Sequence, residues 1–276
     1  MGAFGTTWQT ALVITAAAGL LFAVVFVLLF RNTPREHPWA NDAEAALIEQ
    51  GEVVVAPNQR LRWDWSPGNI CNLGAFFGAS FSSTFADNLF VFWMPTFLRQ
   101  AKNFTAAEMG LFASLPLFGG ALGGLCGGVL NDWLIRVIDN RRWARRLIAG
   151  GCKVIAAALI CVSLYFEDGR VVMGVLFFCK FFSDMSQPTW WGTVTDIGGP
   201  AAGRVFGMVN TVGAAGLFVA GPTMAWIKLQ YDFNGLFYFV AAVYLVTTVC
   251  WLMVDCTRRL VVVEGTASDF TPGEEG

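Results

Sequence analysis

Two groups of polar residues interrupt stretches of chain that are otherwise apolar, and both are spaced as a helix would space them. Ser80, Ser83, Thr84, Asp87 and Asn88 fall at steps of 0, 3, 4, 7 and 8, one stripe along one helical face. Lys180, Ser183, Asp184 and Gln187 repeat this at 0, 3, 4 and 7, which stands Lys180 and Asp184 one turn apart. An ionised side chain at mid-bilayer costs about 2.5–3.5 kcal/mol on insertion scales, so each of these charges needs a use. Hydroxyls around a carboxylate suit water or a ligand, or a helix–helix contact glued by hydroxyls; an ammonium suits an anion. Two uses are open for Lys180. One is a self-neutralising pair with Asp184 that lets the helix insert; the other is contact with an anionic group across a bundle, with Asp87 or Asp184 setting its protonation. Pro188, directly after Gln187, predicts a kink and a freed backbone carbonyl.

Other chemistry is excluded by residue type. The one histidine, His37, lies in a polar loop, and the seven cysteines are scattered with no C-x-x-C. Neither a metal centre nor histidine catalysis fits, and the cysteines read as small buried side chains. No G-x-G-D, G-x-S-x-G or H-E-x-x-H is present, which removes the intramembrane proteases. No catalytic residue, cofactor or metal is expected.

The elements that must carry these residues are membrane spans. The 276 residues are 55% apolar and 14% charged, against about 25% charged in a soluble domain. A net charge of −2 excludes a nucleic-acid binder. Apolar runs of about 20 residues occur at residues 10–30, 71–98, 107–130, 147–166, 171–195, 204–227 and 235–255, which predicts an all-α membrane protein with seven transmembrane helices. Twelve Lys and Arg fall in one set of alternate loops and four in the other, with Lys153 and Lys180 inside spans. That bias places the N-terminus outside and the C-terminus in the cytoplasm. The first run lacks a preceding basic residue and a cleavage site, so it is read as a span and not as a signal peptide.

Residues 41–50 predict a short helix capped by Asn or Asp, and Trp63 and Trp65 predict interfacial anchors. The chain from 257 on is read as a disordered cytoplasmic tail. Gly119, Gly120, Gly123, Gly124, Gly127 and Gly128 in the third run, and Gly203, Gly207, Gly213, Gly216 and Gly221 in and beside the sixth, predict close packing or sliding contacts between helices, with Gly203 and Gly207 spaced as a small-x-x-x-small face. Asn210 is the strong hydrogen-bonding group of the sixth run. Asp132 and Asp196 stand at helix ends, where a carboxylate accepts backbone or arginine hydrogen bonds.

Four segments then carry a resemblance: LFRNTPREHPWANDAEAALIEQGE after a span, WMPTFL at the end of the next, GGVLNDWLIR entering an Arg-rich loop, and TDIGGPAAGRVFGMVNTVGAAG. Together, over residues 10–255, they resemble the C-terminal part of a major facilitator superfamily transporter, and more narrowly the anion:cation symporter family. The resemblance implies that residues 1–30 are a sixth helix, 31–69 a cytoplasmic interdomain linker and 70–256 a six-helix bundle. It also implies a substrate contact from Asn210 and gating roles for Asp132, Arg136 and Asp196, while the polar faces bearing Asp87, Asn88, Lys180, Asp184 and Gln187 are candidate substrate contacts by their spacing alone. Asp132 would cap or pair across helices and Arg136 would touch the loop.

The function so implied is secondary transport of a small organic anion such as a sugar acid, coupled to a proton or sodium ion, in the inner membrane. The sequence departs from the family at Asp87, Asn88 and the Lys180–Asp184 pair, which bears on the substrate. An N-terminal six-helix half is expected as the missing partner, on the expectation that the chain is an N-terminally truncated fragment. The alternative is a membrane half-protein with an assembly or regulatory role. A retinal protein would need a lysine in the last span, and residues 235–255 have none.

Overall fold

The computed structural model describes residues 8–51 and 61–263. The chain forms two units, Met1–Gln59 and Arg60–Gly276.

In the first unit, helix α1 (Trp8–Leu29) carries no charged residue, is mostly apolar, and buries none of its side chains. The sole histidine closes it: the His37 ring meets the Leu29 carbonyl through Nε2 at 3.1 Å and accepts the Trp39 N–H at Nδ1 at 3.3 Å. Both contacts are satisfied by the Nε2–H tautomer. The expected short helix is α2 (Asp42–Gly51), and Asn41 caps it by accepting the Glu44 N–H at 2.8 Å.

The second unit is helical apart from two short strands. Helix α3 (Pro67–Asn88) runs through a π-turn at Leu89–Trp93 into α4 (Met94–Gln100), so one rod covers the second apolar run. The π-turn has a local cause: Pro95 has no N–H and its ring crowds the carbonyl four residues back, so the helix widens just before it. Helix α5 (Ala106–Ile138) starts with a capping box in which Thr105 accepts from the Glu108 N–H and Glu108 accepts from the Thr105 N–H. Helices α6 (Arg141–Ser163) and α7 (Gly169–Met185) are capped by Asn140 and Asp168. Helix α7 stops at Ser186, and α8 (Gln187–Gly198) restarts with Pro188 in its first turn, which is the break the sequence predicts. Helix α9 (Ala202–Met253) has two arms that meet at Asp232, whose φ of 56° and ψ of −165° are not helical.

Among the described residues, four helical stretches are long and apolar enough to cross a membrane: Trp8–Leu29, Ala106–Ile138, Arg141–Ser163 and the interrupted run Gly169–Met253. The last contains three of the seven expected apolar segments. Helix α3 is not among the four, because the polar stripe that makes it interesting also lowers its hydropathy.

Close packing follows the glycines, but not all those expected. On α5, a Cβ at Gly123 would strike the Phe181 carbonyl of α7, and one at Gly120 would strike the Asp184 carboxylate. Gly124 and Gly128 face open space. On α9 the expectation for Gly203 and Gly207 is corrected. Both have open space, and the close approach to α3 is made about two to four turns later by Gly213 and Gly216, two of the other glycines expected in that run. Small residues permit contact but do not create it; the partner helix must also run past that point.

The expected disordered tail is also corrected in part. Val261–Val263 form strand β2, antiparallel to β1 (Leu61–Trp63), with Trp63 opposite Val261, so Trp63 belongs to a strand pair. The Leu260 N–H reaches the Ile197 carbonyl at 2.9 Å, and Leu260 and Val261 are buried. Residues 264–276 lie outside the described residues. All seven cysteines are free thiols.

Candidate functional site

Five of the nine residues singled out by spacing, Ser80, Ser83, Thr84, Asp87 and Gln187, fall around a cavity in the second unit. Its volume is about 240 Å³, and its wall includes Ser80, Ser83, Thr84 and Asp87 from α3, Gln187, Trp190 and Trp191 from α8, and Phe206 and Asn210 from α9. The restart of the helix after Ser186 brings the α8 residues to this wall, and Gly213 lets α9 lie against Ser80 and Thr84. Ser80 donates to the Val209 carbonyl at 3.0 Å, fixing α3 to α9 beside the cavity. The mix of indole faces and amides gives a lining with an apolar side and a few directional polar groups, as small-molecule sites have.

Behind Asp87 lies the charged centre. Lys180 Nζ donates to Asp87 Oδ1 at 2.8 Å and to Asp184 Oδ1 at 2.6 Å, so it bridges α3 and α7. Its side chain is 7% exposed, and it stands 5.7 Å above the Phe90 ring. The expectation that Lys180 itself faces the cavity is therefore corrected. An ammonium in low dielectric is drawn between two carboxylates, and what meets the cavity is Asp87. Both readings of the Lys180–Asp184 pair contain part of the arrangement: the one-turn neutralisation exists, and so does the contact across the bundle.

Asn88 is a second correction. It turns away from the Asp87 cavity, donates to the Leu217 carbonyl at 3.4 Å and lines a separate cleft with Phe92, Trp93 and Thr96. The stripe is cut there because a helical face drifts with length, and the π-turn follows directly.

Lys153 escapes the spacing argument because it stands alone in its apolar run. It is 1% exposed and donates to Ser83 Oγ at 2.9 Å and to Ser183 Oγ at 2.8 Å, with the Tyr244 ring 5.2 Å away. Two lysines and two aspartates thus share one buried neighbourhood. Their formal charges cancel. The signal for Lys153 was its lone charge in a run of about 20 apolar residues, and Gly120 on α5 clears the space that Asp184 occupies.

At the end of the bundle where α5 meets α6, Asp196 pairs with Arg145 at 2.6 Å and Arg141 at 3.3 Å. Buried Arg145 also donates to the Thr189 carbonyl at 3.2 Å, and Thr189 Oγ1 donates to Asn131 Oδ1 at 3.1 Å. Asp132 is exposed and receives its hydrogen bond from neighbouring Asn131 at 3.2 Å, so the contact between helices is made by Asn131 and the expected pairing of Asp132 is corrected. Arg136 is exposed and makes no ion pair among the described residues. Beside this network, Asp255 binds Arg142 at 3.1 Å, and Arg146 donates to the Val254 carbonyl at 2.7 Å. Among the described residues no group of His, Cys, Asp and Glu could hold a metal ion.

A sequence model of the Major Facilitator Superfamily matches residues 1–221, most of the chain. The chain belongs to the Major Facilitator Superfamily. Among curated proteins, this superfamily member is 26% identical over 279 residues to the probable galactarate/D-glucarate transporter GudP of Bacillus subtilis, covering 95% of this chain and 59% of the relative. It is 26% identical to the probable sulfoacetate transporter SauU of Cupriavidus necator, covering 76% of this chain and 49% of that protein. It is also 26% identical to the probable L-galactonate transporter of Escherichia coli, covering 68% and 41%. The chain spans 59% or less of the length of these relatives. The relatives are named as transporters, not enzymes, and the apolar helices make this an integral membrane protein.

Proposed function

We propose that the protein takes part in secondary transport of a small organic anion of the sugar-acid type, in symport with an ion. The observation that supports this most is the polar cavity against a buried Lys–Asp cluster, in a chain whose relatives are named for galactarate, glucarate, galactonate and sulfoacetate. Indole faces of Trp190 and Trp191 suit the carbon backbone of a sugar acid. Gln187 and Asn210 suit its hydroxyls, and Lys180, once released from one carboxylate, suits its carboxylate.

In this reading the second unit is the C-terminal six-helix bundle, α1 is the sixth helix and a second six-helix bundle faces the cavity. Access alternates as one bundle rocks on the other. The chain sits in the inner membrane with its N-terminus outside and its C-terminus in the cytoplasm, as the Lys and Arg bias implies. Asp132, Arg136 and Asp196 belong to the cytoplasmic gate, with Asp196 in the Arg145 clasp as its most constrained member.

The test is ligand-dependent thermal stabilisation of purified protein across galactarate, D-glucarate, L-galactonate and sulfoacetate. At least one is expected to raise the unfolding midpoint, with a neutral polyol of equal length giving no shift. Equal shifts from anion and polyol would overturn the anion reading.

A further inference from the structure

At the arginine-rich end of the bundle, another pocket opens between the starts of α3 and α6 and the chain just after α9. Its volume is about 200 Å³, and its wall includes Gly68 and Asn72 from α3, Arg142 from α6, and Met253, Asp255 and Arg258. The wall is firmly built. Asn72 donates through Nδ2 to the Asp255 carbonyl at 2.8 Å, and the Asp255 N–H donates to Asn72 Oδ1 at 2.7 Å, which joins the start of α3 to the end of α9. The Arg258 guanidinium lies where a Cβ on Gly68 would stand, so it rests on the bare first turn of α3.

Positive charge is in excess here. The Asp255 carboxylate is already engaged: Oδ1 accepts from the Thr257 N–H at 3.1 Å and its hydroxyl at 2.6 Å, while Oδ2 faces Arg142 at 3.1 Å and Arg258 at 3.6 Å. Asp64, before α3, is turned to the Ser66 N–H and to Asn69 instead. Against these two acids stand Arg142, Arg258 and Arg146, the last held on the Val254 carbonyl. Arg142 Nε has no hydrogen-bond partner among the described residues, and the Arg142 and Arg258 side chains are both about half exposed. Ser66 also leaves the α3 N-terminus without a side-chain cap, which adds the positive end of a helix dipole.

We propose that this pocket holds the phosphate of an anionic membrane lipid of the phosphatidylglycerol type. Guanidinium forks match phosphate oxygens, and one negative charge offsets the excess. What favours a lipid over a soluble phosphate is the flank of the pocket. Met253 is exposed on its wall, and Ile70 in the first turn of α3, Leu147 near the start of α6 and Leu252 in the last turn of α9 are exposed as well. Acyl chains running along the bundle from the phosphate would cover these side chains, and a soluble ester would leave them bare.

The test titrates the full chain in detergent with phosphatidylglycerol, or with phosphatidylcholine of the same acyl chains, and counts bound lipid by native mass spectrometry. Wild type is expected to hold phosphatidylglycerol more tightly than phosphatidylcholine. Arg142→Gln and Arg258→Gln are each expected to weaken that binding about fivefold, the worth of one arginine charge at an anionic surface. Arg204→Gln, at an exposed position in the first turn of α9, is expected to leave it unchanged. An equal loss in Arg204→Gln would reveal diffuse attraction to basic surface and overturn the site, and equal binding of the two lipids would overturn the need for an anion. Displacement of the lipid by equimolar glycerol 1-phosphate would assign the pocket to a soluble phosphate and overturn the lipid. Arg258 reaches Asp255 only at 3.6 Å, so Arg258→Gln decides the matter should Arg142→Gln fail to fold.

Discussion

The bundle buries cations in two places and handles them differently. At mid-bundle they are lysines, held by side chains alone: Lys180 by two carboxylates and Lys153 by two hydroxyls. At the end of the bundle they are arginines held partly by backbone, with Arg145 on the Thr189 carbonyl and Arg146 on those of Val254 and Met253. A guanidinium fixed to carbonyls at helix ends cannot leave without unseating the helix. An ammonium is a point charge on a flexible stem and can change partners. The comparison separates a switch from a clasp, and substitutions at Lys180, Arg145, Gly120 and Lys153 test it.

The largest effect is expected for Lys180→Gln, which leaves Asp87 and Asp184 facing each other without their cation. A loss of about 3–5 kcal/mol in stability and loss of anion binding are expected; equilibrium unfolding in detergent and a binding titration check both. Adding Asp184→Asn should restore much of the stability and none of the binding. Arg145→Gln is expected to cost about 3 kcal/mol, the lower end of that range, because it leaves Asp196 with only the exposed Arg141 as its partner. The milder Arg145→Lys keeps the charge and loses the fork, so it should lower the unfolding midpoint while leaving anion affinity unchanged.

Gly120→Ala is expected to cost about 1–3 kcal/mol, since its Cβ drives into the Asp184 carboxylate, and to weaken anion binding. Gly124→Ala, one turn on and facing open space, should stay within about 0.5 kcal/mol. Equal effects at the two glycines in a thermal melt would show that the α5–α7 contact is not what seats Asp184. The smallest stability effect belongs to Lys153→Met, which swaps a buried ion for an apolar chain of similar length. The midpoint should be unchanged or raised, with anion affinity lowered through the loss of positive charge. A midpoint falling as far as in Lys180→Gln would make Lys153 a structural pillar.

How much of this was legible depended on whether the signal was periodic. The helical stripe through Ser80, Ser83, Thr84 and Asp87 was readable because a repeat every three or four residues is a property of the chain itself. So was the break before Pro188, a local steric event. Lys153 was not, since a lone charge has no period and its partners Ser83 and Ser183 lie 70 and 30 residues away. The inward placement of Lys180 was missed for a related reason: the same-helix pair with Asp184 is visible in sequence, while the pull of Asp87 from α3 is a matter of packing. At the bundle end, Asp132 and Asn131 are adjacent in sequence and a hundred degrees apart around a helix. Only the fold decides which of them meets Thr189. The β1–β2 pair joins strands too short for any pattern, so the segment after α9 read as tail.

The most direct test of the switch and the clasp is one calorimetric titration of galactarate into wild type, Lys180→Gln and Arg145→Lys, each first shown to be folded. The account predicts binding in wild type and Arg145→Lys with the same affinity, and no binding in Lys180→Gln. Undiminished binding in Lys180→Gln, or an equal loss in both variants, would contradict it.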